Sequence, residues 1–328
     1  MDKYIYISSP GDNSIKILKF FKKNITVVQE MYTKGQAQPI SLSKKYKLIY
    51  VGIRPNYNIT TYKILNNGKI EEISTFALPV PLNYIDINKE NNLLVCSSYH
   101  GSLLIIVKLN ENGIPITILN TFKNVNGCHC SKFYHLKNSI IATALKSDSI
   151  YIFNSINNKK HFERLQFLVE KKSGPRHLAF HPNKSFIFSI NELNGTINVW
   201  KITNNKFGIN NVQKINLLPK EYNNSICYWA ADIHISPCGK YLYASERNNS
   251  IITLFEINQN NFKIFFKKRY FVEKQPRTFF IDKEKNLLSV VGEKSNFITI
   301  YKISKDNGEL FPIIRSYAGE NPVWVIMN

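Results

Sequence analysis

Long apolar runs are missing from this chain: charged residues or Asn interrupt every Ile-rich stretch before the roughly 18 residues that a membrane helix needs. A spanning helix is excluded and no membrane partner is expected. The start of the sequence also lacks the apolar region of a secretory signal, because Met1-Asp2-Lys3-Tyr4-Ile5-Tyr6-Ile7 carries an early acid, alternates polar with apolar residues and turns at Pro10-Gly11. It reads as a strand of a cytoplasmic protein. Cysteine is sparse and odd in number, at Cys96, Cys128, Cys130, Cys227 and Cys238, with no CxxC spacing. Neither a disulfide framework nor a four-ligand zinc site fits that pattern, so reduced thiols are expected. There is no HExxH, no Gly-x-Ser-x-Gly and no P-loop. Neither a metal nor a cofactor is expected.

Acid is short as well, with 23 Asp and Glu against 43 Lys and Arg for a formal charge of +20. Such an excess ordinarily raises nucleic acid or another polyanion as partner. Here the bases are 36 Lys against 7 Arg, in a chain that also holds 40 Asn and 44 Ile. Those are the residues an A+T-rich coding sequence favours, and the lysines are scattered rather than gathered into a stripe interleaved with aromatics. The charge therefore reads mainly as compositional drift, and no nucleic-acid partner is expected. The seven arginines become the informative cations, because such drift erodes them first.

What the sequence does have is 44% apolar and 13% aromatic residues over 328 positions, ample for a large core. Short β-branched and aromatic runs recur between Asn, Gly, Pro and Ser clusters, and no 3.6-residue apolar stripe lasts three turns. The chain reads as all-β. One unit is plain from Gly174 to Ile202: strand, Pro-Asn turn, strand, Asn-Gly turn, strand. The ends of successive second strands fall at Ser8, Gly52, Ser97, Ala144, Asn191, Ser245 and Gly292, 44 to 54 residues apart. Seven units of about 47 residues fill residues 1–328 as one domain, and propeller blades have this period, so a seven-bladed β-propeller follows. The chain begins inside a unit, and Pro322-Val323-Trp324-Val325-Ile326-Met327 looks like that unit's missing first strand. The first blade is expected to close from both termini.

In each blade the start of the first strand and the end of the second meet at one mouth of the central channel. That rule brings Arg176 to Glu192. Taking those second-strand ends as a ruler, two positions beyond each one from Gly52 to Gly292 stand Arg54, Tyr99, Lys146, Leu193, Arg247 and Lys294, and at first-strand starts Arg176 matches His129 one blade earlier and Arg277 two blades later. Four of the seven arginines thus share one rim. Two readings compete: a solvated, salt-linked loop face worth little energy, or an anionic-ligand pocket in which Arg forks bind phosphate or carboxylate. The survival of arginine in a lysine-rich chain favours the pocket. Trp229 and Tyr228 read equally as a stacking platform or as rim packing. Asp232 also stays open between a channel role and a structural one. For His177, His181 and His234, within or beside strands, the structural role is the stronger reading.

Motifs throughout the chain, among them Gly35-Gln36-Ala37-Gln38-Pro39, Gly127-Cys128-His129, Gly174-Pro175-Arg176-His177, Trp229-Ala230-Ala231-Asp232 and Gln275-Pro276-Arg277, resemble the bacterial seven-bladed-propeller 6-phosphogluconolactonases of the cycloisomerase 2 family. The resemblance runs from Met1 to Met327 in order. It implies hydrolysis of 6-phospho-D-glucono-1,5-lactone, a phosphorylated sugar lactone, to 6-phosphogluconate. The related fungal carboxymuconate lactonizing enzymes use a His, Arg, Glu, Arg cluster, which maps onto His129, Arg176 and Glu192, with Arg247 or Arg277 as the second Arg. The chemistry of a lactone then suggests Glu192 as base, Arg176 for the oxyanion and His129 as proton donor, with Arg54, Lys146, Arg247, Arg277 and Lys294 for substrate or phosphate. A monomer or weak oligomer is expected. The alternatives are a non-catalytic propeller scaffold and a lactonase or cycloisomerase acting on another lactone.

Overall fold

In a computed structural model of the chain, these runs become 28 strands in seven four-stranded antiparallel sheets. The structure describes residues 3–328 apart from 89, 91, 135–138, 157–160, 184, 204–207 and 220–226. Met1 and Asp2, part of the stretch read as an opening strand, lie outside the described residues. The sheets stand as blades round an axis, and the innermost strand of each touches that of the next. The expected seven-bladed β-propeller is the architecture found.

Burial explains why each run sits where it does. Second strands such as β9 (Leu93–Ser98), β17 (Phe186–Asn191) and β25 (Leu287–Gly292) are buried at every residue, because each sheet is covered on both faces by its neighbours. The outermost strands, such as β7 (Ile70–Ala77), alternate and turn one side to solvent. Seven apolar clusters each join two adjacent blades: Phe188 and Val199 pack with Leu242 and Phe255, for instance. Each fully buried Ile or Phe contributes about 1.5–3 kcal/mol of transfer free energy, so the ring is held by its inter-blade seams.

The ring closes as expected. Strand β1 (Lys3–Ser9) pairs with β28 (Trp324–Met327), with Ile5 opposite Met327 and Ser8 opposite Trp324. Their side chains Ile5, Ile7, Val325 and Met327 fill the seam against Val291, Ile298 and Ile300. Recurrent braces tie blades together elsewhere. Hydroxyls of Tyr6, Tyr50 and Tyr243 donate to the carbonyls of Gly68 (3.1 Å), Gly113 (2.7 Å) and Gly308 (2.6 Å) in the next blade. Gly68 must be glycine: its φ is +79°, and a Cβ there would stand 2.1 Å from the Tyr4 ring.

One detail positions the site. The innermost strands β4 (Gln36–Ser43), β12 (Cys128–Tyr134), β16 (Pro175–Phe180) and β20 (Ala230–Ile235) all break register just after they start, between Ala37 and Ile40, Cys128 and Cys130, Pro175 and His177, and Ala230 and Ile233. A bulge inserts an unpaired residue and re-aims its side chain. His129 and Arg176 are those inserted residues.

Candidate active site

Eleven residues line a cavity of about 310 Å³ at that mouth, among them Arg54, His129, Arg176, Glu192, Arg247 and Arg277. All four arginines of the expected rim are present. The other three, Arg164, Arg269 and Arg315, lie on the outer strands β15 (His161–Leu168), β23 (Ile264–Phe271) and β27 (Leu310–Tyr317). A solvated loop face does not describe the site, since Arg176 and Arg247 are only 1% and 3% exposed.

Glu192 is the centre of the cluster. Its Oε2 lies 2.9 Å from Arg176 Nε and its Oε1 3.3 Å from Arg247 Nη2. Oε1 also accepts from Trp229 Nε1 at 3.0 Å. Trp229 in turn lies under the Arg247 guanidinium, 3.7 Å from ring centroid to Cζ, so it serves as a platform for the arginine. The Arg176 and Arg247 contacts with Glu192 are charge contacts without aligned hydrogen bonds. Arg176 Nε, Arg247 Nη2, Arg54 Nε and His129 Nδ1 are all buried with no hydrogen-bond partner in the protein. Buried polar groups are almost always satisfied, so four such atoms round one cavity mark a place shaped for an oxygen-rich ligand.

The electrostatics point the same way. Burial first, then the neighbouring Arg277, lowers the pKa of Arg54. Burial with the charge of Arg176 lowers that of Arg247, and burial likewise lowers that of Arg176 against the opposing pull of Glu192. Arginine keeps its proton in proteins, so these depressions express guanidiniums crowded together out of water, an arrangement relieved by an anion. His129 is held well below its ordinary pKa by burial and by Arg176, and is therefore neutral near pH 7. In that state the ring offers a hydrogen bond to a ligand in the cavity.

Two expected cations stay outside. Lys146 and Lys294 are exposed and do not line the cavity. Lys146 Nζ instead caps the Tyr99 ring at 4.6 Å, and Tyr99 is the lining residue. The ruler placed all rim positions as equals, whereas their reach depends on each loop. Of the two candidates for the second arginine, Arg247 touches Glu192 while Arg277 lies 3.9 Å from Glu293. Gln38, Asn83 and His100, which also line the cavity, carried no signal in the sequence beyond their nearness to a first-strand start or, for His100, to a second-strand end.

A larger space of about 540 Å³ occupies the other half of the axial channel. Several of its charged groups are already partnered: Glu284 pairs with Lys44, Asp282 and Glu284 pair with Lys3 behind the lining, and Lys132 donates to Leu178 O. The constriction between the two spaces is lined by His129, Arg176 and Trp324, among others.

Fold and site together define a seven-bladed propeller with an arginine-rich axial mouth organised round Glu192. The chain belongs to the family described as Lactonase, 7-bladed beta-propeller, whose model matches residues 4–327. The 6-phosphogluconolactonase of Buchnera aphidicola subsp. Acyrthosiphon pisum (strain APS) is 40% identical over 333 residues, covering 100% of this chain and 99% of that protein. The 6-phosphogluconolactonase of Erwinia tasmaniensis is 33% identical, covering 100% and 99%. Among solved structures, a Lactobacillus plantarum protein superposes with a TM-score of 0.90 at 19% identity, covering 100% of both chains. Pseudomonas aeruginosa periplasmic gluconolactonase superposes at 0.87 and 14% identity, covering 100% and 99%. At those identities the structures establish the fold alone.

Proposed function

We propose that the chain hydrolyses 6-phospho-D-glucono-1,5-lactone to 6-phosphogluconate, the second step of the oxidative pentose phosphate pathway. The observation that carries this is the convergence of four arginines, His129 and Glu192 on one cavity where four of their polar atoms lack protein partners. Arg54 and Arg277, which do not touch Glu192, hold the 6-phosphate. The lactone carbonyl lies between Arg176 and Arg247. Glu192 takes a proton from water as the water oxygen bonds to C1. The carbonyl π pair moves onto oxygen, where the two guanidiniums stabilise it. Collapse of that oxyanion breaks the bond from C1 to the ring oxygen, which receives the proton back from Glu192 while His129 donates a hydrogen bond to it. No covalent intermediate is needed.

The whole of 1–328 is read as one propeller domain, working as a monomer or weak oligomer in the cytoplasm, a setting consistent with five free thiols. A coupled assay on freshly generated lactone, corrected for spontaneous opening, tests the function. Turnover of the phosphorylated lactone well above that of glucono-1,5-lactone supports it. Equal turnover of both points to another lactone, and none to a binding scaffold.

A further inference from the structure

Behind Arg176 runs a second line of polar groups that the reaction above does not use. Arg176 Nη1 donates to Ala231 O at 2.5 Å and stands 3.2 Å from His177 Nε2. The guanidinium has only donors, so Nε2 must be the bare nitrogen of the imidazole and the proton must sit on Nδ1. Nδ1 faces Asp232 Oδ1 at 2.8 Å. Asp232 is fixed in turn, accepting from the Ile233 amide (2.9 Å), the Phe279 amide (3.2 Å) and His234 Nε2 (3.1 Å). All its partners donate, so it is a carboxylate and holds His177 in that one tautomer. Tyr84 and Trp324 close round the ring, at 5.3 and 6.1 Å between centroids.

We infer that His177 and Asp232 are positioning residues for Arg176, forming a chain Asp232, His177, Arg176, Glu192 from the channel interior to the cavity. The inference rests on the reading of Arg176 and Glu192 given under Proposed function. An arginine side chain has many rotamers, and its fork stabilises an oxyanion only if the plane is fixed beforehand. His177 supplies the acceptor that anchors the Nη1 edge and leaves the Nε edge against Glu192. Asp232 prevents the imidazole from presenting an N–H to Arg176, which would repel it. Part of the role of Asp232 is structural: its bond to the Phe279 amide spans 47 residues, as does that from Asp86 to the Phe133 amide at 2.9 Å, so both latch one blade to the next. The bond to His177 is the part that serves the site.

The test compares His177→Leu, which has no acceptor, with His177→Gln, whose amide oxygen can reach Arg176. Arg176→Ala and Glu192→Gln run beside them in the full chain, with thermal melts on each. Misplacing a catalytic group by about 1 Å costs on the order of a hundredfold, so His177→Leu should lower kcat by about that factor with KM changed by less than about threefold, and His177→Gln should recover about tenfold or more of the loss. Equal loss in the Leu and Gln variants, a rise in KM alone, or no loss in His177→Leu overturns the inference. Should His177→Leu fail to fold, His177→Gln decides alone: kcat within about tenfold of wild type supports the chain and complete loss overturns it. Full turnover in Arg176→Ala and Glu192→Gln would instead remove the reading of the site itself.

Discussion

A guanidinium taken out of water must recover its solvation from whatever surrounds it. Arg176 does so with Ala231 O, His177 and Glu192, and Arg247 with Trp229 and Glu192, while Arg54 donates to Leu82 O at 2.8 Å. None of the three is saturated, which leaves each with affinity for an anion. The division of labour follows from who touches Glu192. Arg54→Ala should raise KM for the phosphorylated lactone by about ten- to a hundredfold and leave unphosphorylated gluconolactone almost unchanged. Equal losses on the two substrates would contradict a phosphate role. Glu192→Gln keeps the shape and removes the base, so kcat should fall by about a hundredfold or more while affinity for 6-phosphogluconate persists, measurable by calorimetry. The buried imidazoles give a pH signature. His177 titrates at an ordinary 6.5 when unfolded, but burial, Arg176 and Lys132 bring it to about 3 in the fold despite the opposing pull of Asp232. Between those values the unfolded chain binds the extra proton, so its contribution is complete above 6.5 and is lost as pH falls toward 3. Melting temperature should drop more between pH 7 and about 4.5 in wild type than in His177→Gln. Equal drops would assign the acid sensitivity elsewhere.

At the level of strands, much of the layout was legible and one feature was not. The second-strand ruler from Ser8 to Gly292 works because a fully buried strand flanked by turns has little freedom in length, and closure through Trp324–Met327 was visible because a blade with three strands leaves an edge. Arg176 and Glu192 met as the hairpin rule requires. The bulges were invisible: one extra residue decides which side of a strand faces the axis, and neither composition nor spacing records it. For the same reason His177, passed over as a strand residue, stands beside Arg176, whereas Lys146 and Lys294 fall short of the cavity because their reach depends on each loop. The tyrosine braces give an element-level prediction. Removing the hydroxyl in Tyr50→Phe or Tyr243→Phe leaves a buried glycine carbonyl short of a donor and should cost about 1–3 kcal/mol in denaturant melts without altering KM. A kinetic effect without a stability effect would mean the brace serves the site.

Over the whole molecule, the formal charge of +20 acts on encounter rather than on fold. Most of the described lysines are exposed and screened by salt, Lys3 and Lys16 apart, whereas the buried arginines at the mouth are screened much less. Rising ionic strength from about 0.02 to 0.5 M should therefore lower kcat/KM for the phosphorylated lactone through slower association, with little change for the neutral one. An unchanged value for both would mean that the surface charge plays no part in capture.

The shared first blade ties manufacture to competence. Strand β1 leaves the ribosome almost a whole chain ahead of β28, the partner that covers its axial edge. The same late segment delivers Trp324, whose ring meets Tyr84 at 5.4 Å and lines the constriction beneath the arginines. A product stopping short of 324 would hold every proposed catalytic side chain yet have an unzipped ring and an open floor, so closure of the fold and completion of the site depend on the same strand.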